Sequence, residues 1–237
     1  MTSSPDADAT PAGPLSGVVV ADFTRVLAGP LATMTLADLG ARVIKVERPE
    51  RGDDTREWGL PYSATGSTYF ESVNRNKESA CLNLADPADI VRATTLIARS
   101  DVVVENFKPG MMASIGLDYE TVSKANPRLI YASISGFGFG FGFGFGFGFG
   151  FGFGFGFGQA LLGYDFIMHA LGGLMSITGP VDGDAQKVGV VLVDVLVAKD
   201  TIACISAALF ARERTGAGSL LELNLLSSLQ GVLANQG

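Results

Sequence analysis

The chain has 237 residues, 47% hydrophobic and 17% charged, enough to bury a substantial core in one or two domains and unlike a disordered or fibrous protein. A formal charge of -7 leaves no excess of Lys and Arg to neutralise a phosphate backbone, which argues against general nucleic-acid binding but leaves room for a local basic patch on an anionic nucleotide. Cys81 and Cys204 stand in unrelated contexts, so neither a disulfide framework nor a cysteine-ligated metal is indicated, and a reducing cytoplasm is the expected compartment.

The opening MTSSPDADATPAG has no basic segment followed by an apolar one, so residues 1–13 read as a polar disordered tail and not a signal peptide. Val18, Val19 and Val20 then lead through Asp22 to a break at Ala28-Gly29-Pro30, where a helix is expected to start. Leu31, Met34, Leu36 and Leu39 give that helix an apolar stripe. Gly40 is placed to end it before a second strand through Val43, Ile44 and Val46. This β-α-β unit predicts two parallel strands side by side.

Further along, Cys81 to Leu84 reads as a short strand and Asp86-Pro87 as the start of a helix to about Ser100. Asp101 to Glu105 is a buried strand, Asp118 to Ala125 a short helix and Leu129 to Ser135 another strand. Val195, Ala198, Ile202, Ile205 and Leu209 recur at helical spacing until Gly216, and Leu220 to Leu225 should be a strand. The alternation predicts an α/β fold, a Rossmann-like parallel sheet with flanking helices.

Residues 136–158 break this pattern with an uninterrupted alternation of Gly and Phe. As one strand the run would span roughly 76 Å at about 3.3 Å per residue, against a radius of gyration of about 18 Å for a compact chain of this length. A sustained helix is opposed by glycine at every second position, at about 1 kcal/mol each. A nucleoporin-like segment would carry polar spacers, and a membrane span would not carry alternating glycine. The remaining reading is an expanded or erroneous repeat in a surface loop. Nor is it a GxGxxG fingerprint, which needs an odd offset between glycines that a period of two cannot supply.

Eight segments occur in one order: PLSGVVVADFTRVLAGP, LADLGARVIKVERP, GDDTR, NRNKES, DVVVENFKPG, NPRLIYASISGFG, GYDFIMHALGGLMSITG and LFARERTGAG. In this the chain closely resembles the class III coenzyme A transferases, which include formyl-CoA and carnitine-CoA transferases and the related α-methylacyl-CoA racemase. The resemblance implies that 14–135 is a CoA-binding region and 159–237 the rest of a large domain. Between GFG and GYD the family has a short polar loop where this chain has the Gly-Phe tract. It further implies that the chain is a fragment of a longer protein forming interlocked homodimers, with acyl-CoA and a carboxylic acid as partners, no nucleic acid, no membrane, and no metal or permanently bound cofactor.

The family's nucleophile is an aspartate, and the resemblance places it at Asp194 in KVGVVLVDVLVAKDTIACISAALFARERTG. On residue type alone, Asp194 closes an apolar stretch and opens a helix, which fits either a carboxylate stabilised by helix-terminal N–H groups or a simple N-cap. Asp200, inside the helix beside Lys199, reads as solvated. For CoA the resemblance points to Arg25, Val26 and Leu27 after the first strand, Arg48 after the second, Asn76 and Lys77 in NRNKES, and Asn106, Phe107 and Lys108 in ENFKPG. Arg48 can stack on adenine or contact phosphate, and Lys77 and Lys108 offer point charges. Asp53 and Asp54 are expected to cap a helix.

The racemase branch uses a histidine before an aspartate where this chain has Tyr164-Asp165, so racemisation is disfavoured. His169, the single histidine, lies one helical turn beyond Asp165 and can face it. Two functional classes therefore stand: a CoA transferase, with racemisation as its disfavoured variant, and an inactive CoA-binding or aggregation-prone fragment dominated by the tract.

Overall fold

A computed structural model describes residues 13–138 and 163–236. The N-terminal tail up to residue 12 and the Gly-Phe tract from residue 139 lie outside the described residues. Six strands, β1 (Val19–Asp22), β2 (Arg42–Glu47), β3 (Lys77–Cys81), β4 (Val102–Glu105), β5 (Ile130–Ser135) and β6 (Ser219–Asn224), form one sheet. The order is β3-β2-β1-β4-β5-β6 with every pairing parallel, the Rossmann arrangement expected. The order reverses between β1 and β4, and such a switch point opens a crevice at the carboxyl ends of the strands.

Helices α1 (Ala28–Asp38), α2 (Thr68–Ser72), α3 (Pro87–Ala98), α4 (Met111–Ser114), α5 (Tyr119–Val122), α6 (Asp165–Leu171), α7 (Leu192–Thr215) and α8 (Leu225–Val232) surround it. The α1 helix starts at the Ala-Gly-Pro break, and Gly40 follows it at φ 100°, a conformation open to glycine. Asp86 caps α3 by accepting the Ala88 N–H at 2.9 Å. One face of the sheet packs Val20, Val43, Val104 and Ala132 against Leu36 of α1 and Val197 and Ile205 of α7. The other packs Ala21, Val103 and Tyr131 against Ala93 and Ile97 of α3 and Val122 of α5.

Two departures from the sequence expectation have physical causes. The third strand lies at Lys77–Cys81, ahead of the expected Cys81 to Leu84. It is a sheet edge with a mostly polar, half-exposed pattern, and Leu82 and Leu84 instead pack into the α3 face after the strand has ended. The short helices α2 and α4 span little more than one turn and carry no apolar period, while α8, with Leu225 and Leu229 buried one turn apart, follows β6 with no breaking residue between them, so its start merges with the expected strand.

The α7 helix is about 36 Å long at 1.5 Å per residue, whereas β6, which follows it, is about 20 Å. Because α7 ends where β6 begins, its first turns stand beyond the carboxyl edge of the sheet. At that edge Gly136, just after β5, meets Gly163, just before α6: a Cβ on Gly136 would lie 2.6 Å from the Gly163 Cα. The chain thus leaves and rejoins the described structure at one point. No helix among the described residues is long and apolar enough to cross a membrane.

Candidate active site

The switch point is built from three strand ends. Asn106, after β4, clamps the turn after β1 by both halves of its amide: Oδ1 accepts the Arg25 N–H and Nδ2 donates to the Arg25 carbonyl, each at 2.9 Å. The Arg25 guanidinium lies 4.7 Å from the Phe107 ring centroid, a cation–π contact. Burial pushes the Arg25 pKa down, with the nearby positive charge of Arg48 adding to it and Asp54 and Asp53 opposing it. Arg48, after β2, pairs with Asp54. Two guanidinium groups therefore stand at one edge of a sheet in a chain that is acidic overall.

Beneath this edge lies a buried ionic network. Asp22 accepts Thr24 N–H (2.9 Å), Thr33 Oγ1 (2.7 Å) and Lys77 Nζ (3.0 Å). Burial alone would raise its pKa, but the charges of Lys77 and Lys45 and these hydrogen bonds outweigh it and hold the carboxyl well below the ordinary range. Lys45 Nζ bridges the Thr24 carbonyl (2.8 Å) and Asp53 Oδ2 (2.9 Å). Glu47 accepts from Arg56 Nε at 2.6 Å and Nη2 at 2.7 Å, a two-point pair.

Asp194 stands in the first turn of α7, above the carboxyl edge. Its carboxyl is pushed up to about 7, first by burial and then by the charge of Asp165. Asp165, the first residue of α6, accepts the Val193 N–H at 2.7 Å and so caps α7 in place of Asp194. His169 Nε2 lies 3.4 Å from Asp165 Oδ2 and is fully buried. The Tyr69 phenol is raised to about 12, first by burial and then by the charges of Asp194, Asp53 and Asp165. Tyr69 packs edge-on against Trp58, ring centroids 5.3 Å apart, in an open groove of about 360 Å³ that also includes Gly59, Leu60 and Pro61.

The family model described as CoA-transferase family III matches residues 15–237. The chain belongs to that family. Among its curated relatives, the succinyl-CoA:glutarate CoA-transferase of Mus musculus is 47% identical over 96% of this chain and 49% of its own length. The acetyl-CoA:oxalate CoA-transferase of Acetobacter aceti is 43% identical, over 92% and 52%. The crystal structure of a CAIB/BAIF family protein from Brucella suis superposes with a TM-score of 0.85 at 40% identity, covering 95% of this chain and 56% of that one. The chain spans about half the length of the curated relatives it matches.

Within this family III chain, the structure gathers Arg25, Val26, Leu27, Arg48, Asn106 and Phe107 at the switch point. It does not gather the other three CoA expectations. Lys77 is no solvent-facing point charge: its side chain is 2% exposed and its ammonium is spent on Asp22, the Pro30 carbonyl and Asn74. Asn76 is exposed and donates to Asp38 Oδ1 (2.8 Å) at the far end of α1. Lys108 is exposed and lines a separate cavity of about 320 Å³ with Glu105, Tyr119, Tyr131 and Glu222. Asp53 caps the 3-10 turn Asp54–Glu57 through the Thr55 N–H, and Asp200 accepts from Ser228 at the surface, as expected of both. The sequence reading does not reach Trp58 and Tyr69: Trp58 stands directly before Gly-Leu-Pro, but Tyr69 is eight residues beyond that turn and no local pattern joins the two.

Proposed function

We propose that the protein is a class III CoA transferase, moving CoA from an acyl-CoA thioester to a carboxylic acid, with Asp194 as the nucleophile. The observation that carries this reading is a carboxyl in the first turn of α7, above the same sheet edge where Asn106 and Arg25 form the switch-point clamp. The Asp194 carboxylate attacks the thioester carbonyl and the C–S bond breaks, giving a mixed anhydride and CoA thiolate. The thiolate attacks the aspartyl carbonyl and releases the donor acid, leaving an aspartyl-CoA thioester. The acceptor carboxylate then displaces the thiolate to form a second anhydride. Thiolate attack on the acceptor acyl carbon makes the new acyl-CoA and frees Asp194.

A carboxyl that titrates near 7 is a better nucleophile than an ordinary one and is still ionised to a useful extent at neutral pH. Arg25 and Arg48 supply the basic patch for the CoA phosphates. Relatives named for succinyl, glutarate and oxalate transfer support short dicarboxylic acids as the substrate class.

The test is hydroxylamine trapping followed by peptide mass spectrometry, using a protein of the relatives' full length and a panel of mono- and dicarboxylic acyl-CoA donors. The modification should fall on the peptide carrying Asp194, Asp194→Asn should lose transfer, and the acylation rate should rise with pH through about 7. A label on Asp165 or Asp200, or parental turnover in Asp194→Asn, would overturn the assignment.

A further inference from the structure

Val26 has φ 69°, inside the left-handed region, where a β-branched residue is a true outlier. It sits in the turn that carries Arg25, and two side chains from other strand ends hold that turn. Asn106 grips the Arg25 backbone from β4. From the β2 side, the Asp53 carboxylate accepts the Val26 N–H through both oxygens, at 3.3 and 3.4 Å. Asp53 is itself 2% exposed and oriented by Lys45 at 2.9 Å and by the Thr55 N–H and hydroxyl at 3.0 and 2.8 Å. Lys45 also binds the carbonyl of Thr24 on the other side of the same turn. The capping role expected of Asp53 needs only the Thr55 N–H and accounts for neither the bond to Val26 nor the buried lysine.

We infer that Asp53 is a positioning residue for CoA recognition: with Lys45 it holds Val26 in its left-handed conformation, and so fixes the turn that presents Arg25 at the switch point. The inference rests on the proposed CoA site. Without the carboxylate the valine is free to relax toward negative φ, which swings the Arg25–Leu27 backbone away from the ligand. Glycine at position 26 adopts φ near 69° without steric cost and therefore needs the carboxylate less.

The experiment measures CoA affinity by titration calorimetry and backbone amide exchange by mass spectrometry, on the 237-residue chain. Asp53→Asn is expected to weaken CoA binding about tenfold, about 1.4 kcal/mol, and to speed exchange at residues 24–28 while β5 and α7 keep their protection. With Val26→Gly as the background, Asp53→Asn should cost little further affinity, an uncoupling that a purely stabilising role for Asp53 would not give. If the single variant fails to fold because Lys45 is left buried and unpaired, the Lys45→Met, Asp53→Asn pair removes that charge and should show the same local loosening.

Parental affinity together with parental exchange in Asp53→Asn overturns the inference, as does an equal loss of affinity from Asp53→Asn whether position 26 is valine or glycine. If the parent itself binds no CoA, the functional reading fails, and exchange at Val26 still decides whether Asp53 holds the turn.

Discussion

Replacing Asp194 by Asn should make this chain more stable, by an amount that grows with pH. In the folded protein burial and Asp165 lift the carboxyl from the ordinary 3.8 to about 7, so between those values the native state keeps a proton that the unfolded chain has released. Stability from this group is therefore lost as pH rises through that window and is level above about 7, the reverse of a salt-bridged carboxylate. The interval is equivalent to at most about 4 kcal/mol, of which about 1.7 kcal/mol is already lost at pH 5. Asparagine keeps the shape and never ionises. Urea unfolding followed by circular dichroism at pH 5, 6, 7 and 8 should show the variant's advantage over the parent widening by about 2.5 kcal/mol from pH 5 to pH 8. Titrating groups remote from Asp194 are common to both proteins and cancel in the difference. An advantage that stays flat with pH, or a variant less stable than the parent at pH 8, would refute the buried, charge-strained placement of Asp194.

Asn106→Ala removes both bonds to Arg25 and should cost about 1–3 kcal/mol in the unfolding midpoint, with CoA affinity falling at least tenfold in the same titration. Lys77→Met leaves Asp22 buried without its ammonium and should destabilise by about 3–5 kcal/mol, read by urea unfolding. Lys108→Ala should stay within about 0.5 kcal/mol in that assay, since its side chain is exposed.

The central strands were legible because β1, β4 and β5 are short, apolar and bounded by turn residues, so they read as buried strands without any partner being known. The edge strand β3 was not, because Lys77, Glu78 and Ser79 make it resemble a loop, and only its parallel neighbour β2 defines it. Helix α7 was found from its spacing and from Gly216, which ends it in the left-handed conformation. At the site, motif order led to Arg25, Arg48 and Asn106, but not to the geometry of the clamp between residues 81 positions apart. Lys77 was misjudged for the same reason: its buried partner Asp22 is 55 residues away, and an isolated lysine in a polar stretch reads as a surface charge. Tyr69 sits on a helix of five residues with no period to notice, and its packing against Trp58, eleven positions earlier, exists only in three dimensions.

The meeting of Gly136 and Gly163 separates the number of residues in that excursion from the geometry of the site. Because the two glycines meet at one point, the end of β5 and the start of α6 are fixed to each other by direct contact, whatever number of residues separates them in sequence. The entropic penalty of closing a flexible loop rises only with the logarithm of its length, about 0.6 kcal/mol per doubling. Loop length at this junction is thus a weak lever on the position of Asp165 and, through its bond to the Val193 N–H, of the first turn of α7. By the same logic the junction is a natural port for inserting a foreign domain or a reporter. The requirement it imposes is local: both glycines must stay small enough for the two backbones to touch.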